Sequence, residues 1–439
     1  MRKVVITGIG VVSPIGIGAG AFWSNLIAGQ VGIRRVAAYD PGGFPCQIAG
    51  EVPAYKINDY VPKSNRKATR VMARDIELAV IAADDAFKDS GLKSKAYTDS
   101  PTIQSERFGC NIGAGLISVE LNELVSAMAT SRSEADPNQL DLKKWGRDGM
   151  NQLTPLWLLK YLPNMLACHV TILHGLKGPS NTITCADASS HLAIGEAFRT
   201  IQRGDADVAI CGGAETKVIP MNMLRQTLLK RVTETHNDSP GEAVRPFDAD
   251  ADGTVAAEGG GLLILEDYEH AKSRGAKIYA EVAGFGASQD TYSITEPDPK
   301  GHSYGKAISK ALADAGLPPT AVDLLIPCGL GIPSHDRAEL AGLHQVFGGG
   351  LGRVPMAPIK AQIGNVAAGS GVDAAAAVLS LHHKLIPAAI NTRKYLDGVS
   401  LNTRPEPREA KIDVSVSSVY SLGGQNAALV FRRISDDNR

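Results

Sequence analysis

The side chains of this sequence that could do covalent or acid–base chemistry stand in short turns between apolar stretches. Cys185-Ala-Asp187 closes a Thr-Ile-Thr run and precedes Ser189–Arg203, whose apolar spacing predicts a helix. A cysteine attacks as the thiolate, which forms beside a base or a positive helix end. The strand-like run before Cys185 points to a buried structural thiol, with a displaced nucleophile as the alternative. Asp187, at the start of the helix, would be held as a carboxylate by the helix dipole, a poor acid but a usable base. Cys328 opens the turn "CGLGIPSHDRAE", where a small packed residue is the plainer reading and a reactive thiol the sharper one. His335, beside Asp336, is a candidate base. Because it precedes the expected helix by one position, a capping or surface role is preferred.

Two further patterns carry charge. Asp248–Gly260 imitates a calcium loop, with acids at alternate positions and a glycine sixth. Its twelfth position is Gly259, with Glu258 one residue early, so calcium is rejected. Lys63, Arg66, Lys67 and Arg70, with Arg74, open a predicted helix, and Arg225, Lys230 and Arg231 precede a polar loop, Thr233–Glu242, expected to be mobile. Such clusters are either ordinary solvated faces or a dock for an acidic partner.

The elements that must position these residues follow from composition and periodicity. The chain has 439 residues, 44% of them hydrophobic, enough for more than one domain-sized unit. With 45 Lys+Arg against 46 Asp+Glu the net charge is −1, so no global field favours nucleic acid or an anionic membrane. The six cysteines have no CxxC spacing, which excludes a zinc knuckle and points to reduced thiols in a cytoplasm. Short β-branched runs at Val4–Ile6, Asp207–Cys211, Leu262–Leu265, Ala280–Phe285, Leu324–Pro327 and Ala428–Phe431 predict strands. Asp75–Lys88, Ser189–Arg203, Gly305–Ala315 and Asp373–His383 predict helices. Their alternation argues for a mixed sheet covered by helices, and no apolar run reaches membrane-spanning length. "DAFKDSGL" recurs in altered form as "KALADAGL", which points to an internal duplication with halves at 1–267 and 268–439. Residues about 116–165, polar and then apolar with tryptophans, read as an insertion capping the first half.

Several stretches taken together carry a family resemblance. "VVITGIGVVSPIG", "GPSNTITCADASS", "GDADVAICGGAE", "VRPFDADADGTVAAEGGGLLILE" and "AKIYAEVAGFGASQDTYSITEPDPKG" occur in the order found in β-ketoacyl-acyl-carrier-protein synthases of the elongating type II kind. The resemblance implies a thiolase-like α/β fold, two pseudo-symmetric βαβαβ halves in a layered α-β-α-β-α sandwich, dimerising through the edge strand of the first half. It also implies a cysteine nucleophile, two histidines and a supporting lysine. No metal or resident cofactor is implied, because phosphopantetheine arrives on the acyl carrier protein.

Carried over position by position, the resemblance lands on altered residues. Counting from Gly178 and from Gly212 places Asp187 where the family has its nucleophile, with Cys185 two residues too early. Cys328 stands for the first histidine and Asn365 for the second, while Lys360, Asp336 and Glu339 keep the supporting framework. Leu422 replaces the gating phenylalanine. An aspartate cannot form an acyl thioester, and an asparagine donates one amide hydrogen bond at best. The resemblance then implies a ketosynthase-fold subunit of fatty-acid or polyketide biosynthesis unable to condense by itself. It is similar to chain-length-factor subunits, which pair with an active synthase and shape its tunnel, although those usually carry glutamine at the nucleophile position. The basic clusters would dock the acyl carrier protein. The alternatives are an acyltransferase or other carrier-protein-dependent enzyme using Asp187, Cys328 or His335, and a carrier-binding homodimer without a tunnel role.

Overall fold

A computed structural model describes residues 1–434; the end of the expected second half, 435–439, lies outside the described residues. Strand β1 (Val4–Ser13) is fully buried. The glycines that interrupt its apolar run are packing sites: a Cβ on Gly10 would stand 1.9 Å from the Ala82 carbonyl oxygen, and one on Gly8 2.5 Å from that of Ala86. Both carbonyls belong to helix α1 (Arg74–Ser90), which can approach the strand this closely only over bare backbone. α1 ends at Gly91 in the left-handed conformation.

β2 (Phe108–Ala114), β3 (Ser180–Ile183), helix α2 (Ser189–Arg203), β4 (Val208–Thr216), α3 (Pro220–Leu228) and β5 (Glu258–Asp267) follow. β6 (Ala280–Gln289), α4 (His302–Asp314), β7 (Leu324–Ile326), α5 (Pro333–Phe347), α6 (Gly371–His383), β8 (Val414–Tyr420) and β9 (Gln425–Arg432) complete the core elements. The strands run in the order β3-β2-β4-β5-β1-β6-β9-β8-β7. The junction between β1 and β6 is only two residue pairs, Val5 with Glu281 and Ile6 with Ala280. On either side of it the pairing repeats. β2–β4 and β7–β8 are parallel, β4–β5 and β8–β9 antiparallel, and β5–β1 and β9–β6 antiparallel. Beside β7 a single parallel bridge, Leu325 with Met356, stands where β3 stands beside β2.

Helices α2 and α6 fill the middle layer, and α1 and α4 cover the outer faces of the two strand sets. α6 is buried from Gly371 through Leu381 and apolar almost all round, as a helix between two sheets must be. Its alanines and Gly371 let it lie on β5, where a Cβ on Gly371 would be 2.0 Å from the Gly261 carbonyl oxygen. The result is the thiolase-like α-β-α-β-α sandwich expected. No helix among the described residues is long and apolar enough to cross a membrane.

Two local expectations change. Lys63, Arg66, Lys67 and Arg70 lie exposed on a separate 3-10 stretch, Lys63–Val71, rather than at the start of α1. Thr233–Glu242, expected to be a mobile loop, makes side-chain hydrogen bonds to two other segments. The Thr233 and Thr235 hydroxyls donate to Asp252, and Asn237 accepts from Gln47 N–H and donates to the Pro45 carbonyl. In the acid-rich loop, Asp248 accepts backbone N–H groups from Asp250, Arg393 and Lys394.

Candidate functional site

The turn from β3 into α2 is tightly wound. Ala186 sits at φ 44°, a left-handed conformation that strains a residue with a Cβ. Ser189 Oγ accepts the Cys185 N–H at 2.8 Å and donates to the Ala114 carbonyl at 3.1 Å, tying the turn to the end of β2. This arrangement delivers Asp187, 3% exposed, to the seam between the two strand sets. Ser370, just before α6, donates its hydroxyl to the Asp187 carbonyl oxygen at 2.7 Å. Asn365 Nδ2 donates to Asp187 Oδ1 at 2.9 Å, while its own Oδ1 accepts the Ala367 N–H. The Asn365 backbone is fixed in turn by Val255 and Ala257.

Cys328 follows β7 and is wholly buried. The two acids of α5 hold its turn by the backbone. Glu339 accepts the N–H groups of Cys328 and Gly329, each at 2.8 Å; Asp336 accepts those of Leu330, Gly331 and Phe247. Tyr304 Oη also donates to Glu339. Burial, with Glu339 adding repulsion, pushes Asp336 up to about 8, and burial pushes Glu339 to about 7. Burial also drives the Cys328 thiol well above its ordinary range, so it is no ready thiolate. Lys360 lies one short helical turn before Asn365 and meets Asp373 of α6 at 2.7 Å, both side chains buried. Burial opposes its charge most strongly, but Asp373, Cys328 and Asp187 together hold the ammonium above its usual range.

The structure thus brings Asp187, Asn365 and Leu422 to the wall of one small cavity, of about 30 Å³, which Lys217, Arg231 and Thr254 also line. Cys328 lies near enough for the Asp187 charge to act on its thiol. Cys185 is half-buried, and burial raises its thiol too. His335 departs from the expected capping or surface position. α5 begins two residues earlier, at Pro333, and the imidazole is buried against Tyr420, its Nε2 3.8 Å from Glu296. Burial, then Arg231, lowers it to about 3. Of the second basic cluster only Lys230 is exposed. Arg225 is half-buried and donates to Ser118 Oγ, and Arg231 is 4% exposed because its side chain turns inward to the cavity. Sequence reasoning missed Ser370, Lys217 and Thr254. In one sequence nothing separates them from other small or charged residues.

The sequence matches the family model for the β-ketoacyl synthase N-terminal domain over residues 1–271 and that for the C-terminal domain over residues 279–393. A 3-oxoacyl-[acyl-carrier-protein] synthase 2 of Rhizobium meliloti is 33% identical over 447 residues, covering 99% of each chain. Among solved structures, the ishigamide ketosynthase/chain length factor matches with a TM-score of 0.84 at 27% identity, covering 99% of this chain and 100% of that one. A type II polyketide-synthase acyl-carrier protein in complex with its ketosynthase bound to the hexaketide gives a TM-score of 0.82 at 25% identity, covering 99% and 100%.

Proposed function

This chain belongs to the β-ketoacyl synthase family, and from that premise we propose that it is a noncatalytic, chain-length-factor-like subunit that pairs with an active ketosynthase. The observation that carries the reading is the buried Asp187–Asn365 hydrogen bond of 2.9 Å. On the family resemblance these are the nucleophile and second-histidine positions, and Asn365 spends its amide on Asp187 Oδ1 and its carbonyl on the Ala367 N–H. A carboxylate held in this way neither takes up an acyl group as a thioester nor leaves an imidazole to stabilise an enolate. Cys328, on the first-histidine position, is a buried thiol that keeps its proton at neutral pH. The bracing of its turn by Asp336 and Glu339, and the Lys360–Asp373 pair, keep the pocket's framework without its chemistry.

The reading further takes an acyl carrier protein as the partner that brings phosphopantetheine, docked on the exposed Lys63, Arg66, Lys67 and Arg70 with Lys230. It takes a dimer formed along β3 and a division of the chain into halves near residue 267. The curated relatives bear the names of synthases, so the departure rests on the site alone. Coexpression with each co-encoded synthase that retains Cys-His-His, followed by affinity capture and sizing, tests it. A one-to-one complex is expected, with no condensation product from this chain alone. A chain that stays a homodimer beside every such synthase, or that condenses unaided, overturns the proposal.

A further inference from the structure

A groove beyond β7, the end strand opposite β3, takes no part in the site described above. It lies between residues 319–323, the turn after α5 and residues 410–411, and encloses about 410 Å³. That is within the range of small-molecule clefts, about 300–1,000 Å³. Its floor is apolar: Val322 and Val354 are 6% and 9% exposed, and Phe347 is half-buried. Its rim carries Arg353 and Lys411. The Arg353 guanidinium makes no hydrogen bond or ion pair among the described residues. Its carbonyl accepts Asn402 Nδ2 at 2.7 Å, which ties the turn to a second segment with two more arginines. Arg408 Nη2 donates to Asn402 Oδ1 at 2.9 Å, and burial, then repulsion from Arg404, lowers Arg408 from its ordinary value. Glu406 and Glu409 lie in the same stretch, yet among the described residues no carboxylate comes within 4 Å of Arg353, Arg404 or Arg408. Lys411 meets Asp413 at 3.1 Å, but with side chains 82% and 45% exposed the pair is weak. Asp323, the acid on the wall, spends one carboxylate oxygen on the Asp413 and Val414 N–H groups. In a chain of net charge −1, three guanidiniums without acids make a local excess of positive charge.

We propose that this groove binds a small amphipathic anion, its apolar chain on Val322, Phe347 and Val354 and its carboxylate or phosphate head on Arg353 and Lys411. The floor alone would take any apolar body. The unpaired guanidinium at the rim selects the anionic one, since its planar fork matches both head groups. Arg404 and Arg408 raise the local potential without touching the ligand. The inference goes beyond the proposed function and holds whether or not the chain pairs with a synthase.

Isothermal titration of the full-length protein with octanoate and with octyl phosphate, against octyltrimethylammonium as the cationic control, provides the test. Both anions are expected to bind and the cation is not; the tighter anion names the head group. From hexanoate to octanoate the affinity should rise by up to about fourfold per methylene, the limit set by complete burial. Arg353→Gln should weaken octanoate binding about tenfold or more, as loss of a charge-assisted hydrogen bond does, and Arg353→Lys should keep part of it. Thr320→Trp, on the groove wall, should block binding while leaving the charges in place. Both positions are exposed, so both variants should fold. Asp187→Asn should bind octanoate as the unaltered protein does. Octanoate and the cation binding alike would mean an unselective apolar surface. Unchanged octanoate binding in Arg353→Gln and Thr320→Trp would place the ligand elsewhere. Either result overturns the proposal and leaves the copurification experiment untouched.

Discussion

At the scale of single residues, the Asp187–Asn365 contact predicts its own mutational signature. Asn365→Leu leaves a buried carboxylate oxygen without its donor and should cost about 1–3 kcal/mol in chemical denaturation. Asp187→Asn, which still accepts the Asn365 amide, should stay within about 1 kcal/mol of the unaltered protein. Equal losses in both would mean that the contact is incidental. The cysteines supply a second check. Under native conditions iodoacetamide should label half-buried Cys185 well before Cys328, which has no exposed surface. Peptide mass spectrometry showing Cys328 alkylated as fast would refute the buried-thiol account. Asp187 and Asn365 were located in the sequence through the family resemblance, the first by counting from Gly178 and Gly212 and the second behind Lys360 and Gly364, and the structure sets them in contact. Arg231 was not so located. A basic residue next to Lys230 reads as surface, and only the approach of residues 253–254 turns it inward.

At the scale of elements, the middle helices carry the buried charge. Asp373→Asn in α6 strands the Lys360 ammonium and should cost about 3–5 kcal/mol, whereas the double replacement Lys360→Met with Asp373→Leu should recover most of that loss. Denaturation midpoints that are additive rather than compensating would argue against the pair. His191 of α2 packs on the same layer, with Nε2 2.8 Å from Ser417 Oγ. Burial, then the Lys360 charge, lowers it from 6.5 to about 3. Between those values the unfolded chain binds the proton that the folded chain refuses, so this group subtracts stability as pH falls. Relative to His191→Asn, the protein should lose about 1.4 kcal/mol per pH unit below 6.5, levelling near 3; a difference independent of pH would count against a neutral buried imidazole. Helices were easier to read than strands here. The 3.6 period survives in Ser189–Arg203, but Gly8 and Gly10 cut β1 to an apparent Val4–Ile6, since packing glycines look like breakers. Phe108–Ala114 and Val414–Tyr420 went unpredicted because glycines in one and alternating serines in the other dilute the apolar signal.

At the scale of the whole molecule, turns from both strand sets converge on one cavity, with Asp187 and Lys217 from one and Asn365 and Leu422 from the other. The echo of "DAFKDSGL" in "KALADAGL" registers that repeat, since these segments close α1 and α4. The outer edge is β3. Cys110 N–H donates to the Pro179 carbonyl, so by alternation the Thr182 N–H points away from the sheet, where Asn181 Oδ1 now accepts it. On the proposed dimer along β3, Thr182→Pro should weaken assembly without unfolding the chain, seen as a shift toward monomer in sedimentation; an unchanged oligomer would move the interface elsewhere. The segment after β2 also carries exposed apolar side chains, among them Leu116, Val125 and Leu156. A bare strand edge is a template for any extended chain, and backbone hydrogen bonds read no sequence. Solubility then becomes a matter of gene dosage. If the proposed partner covers β3, chain synthesised in excess of it has its own copies as the nearest substitute, so yield should track the ratio of two messages more closely than the amount of one.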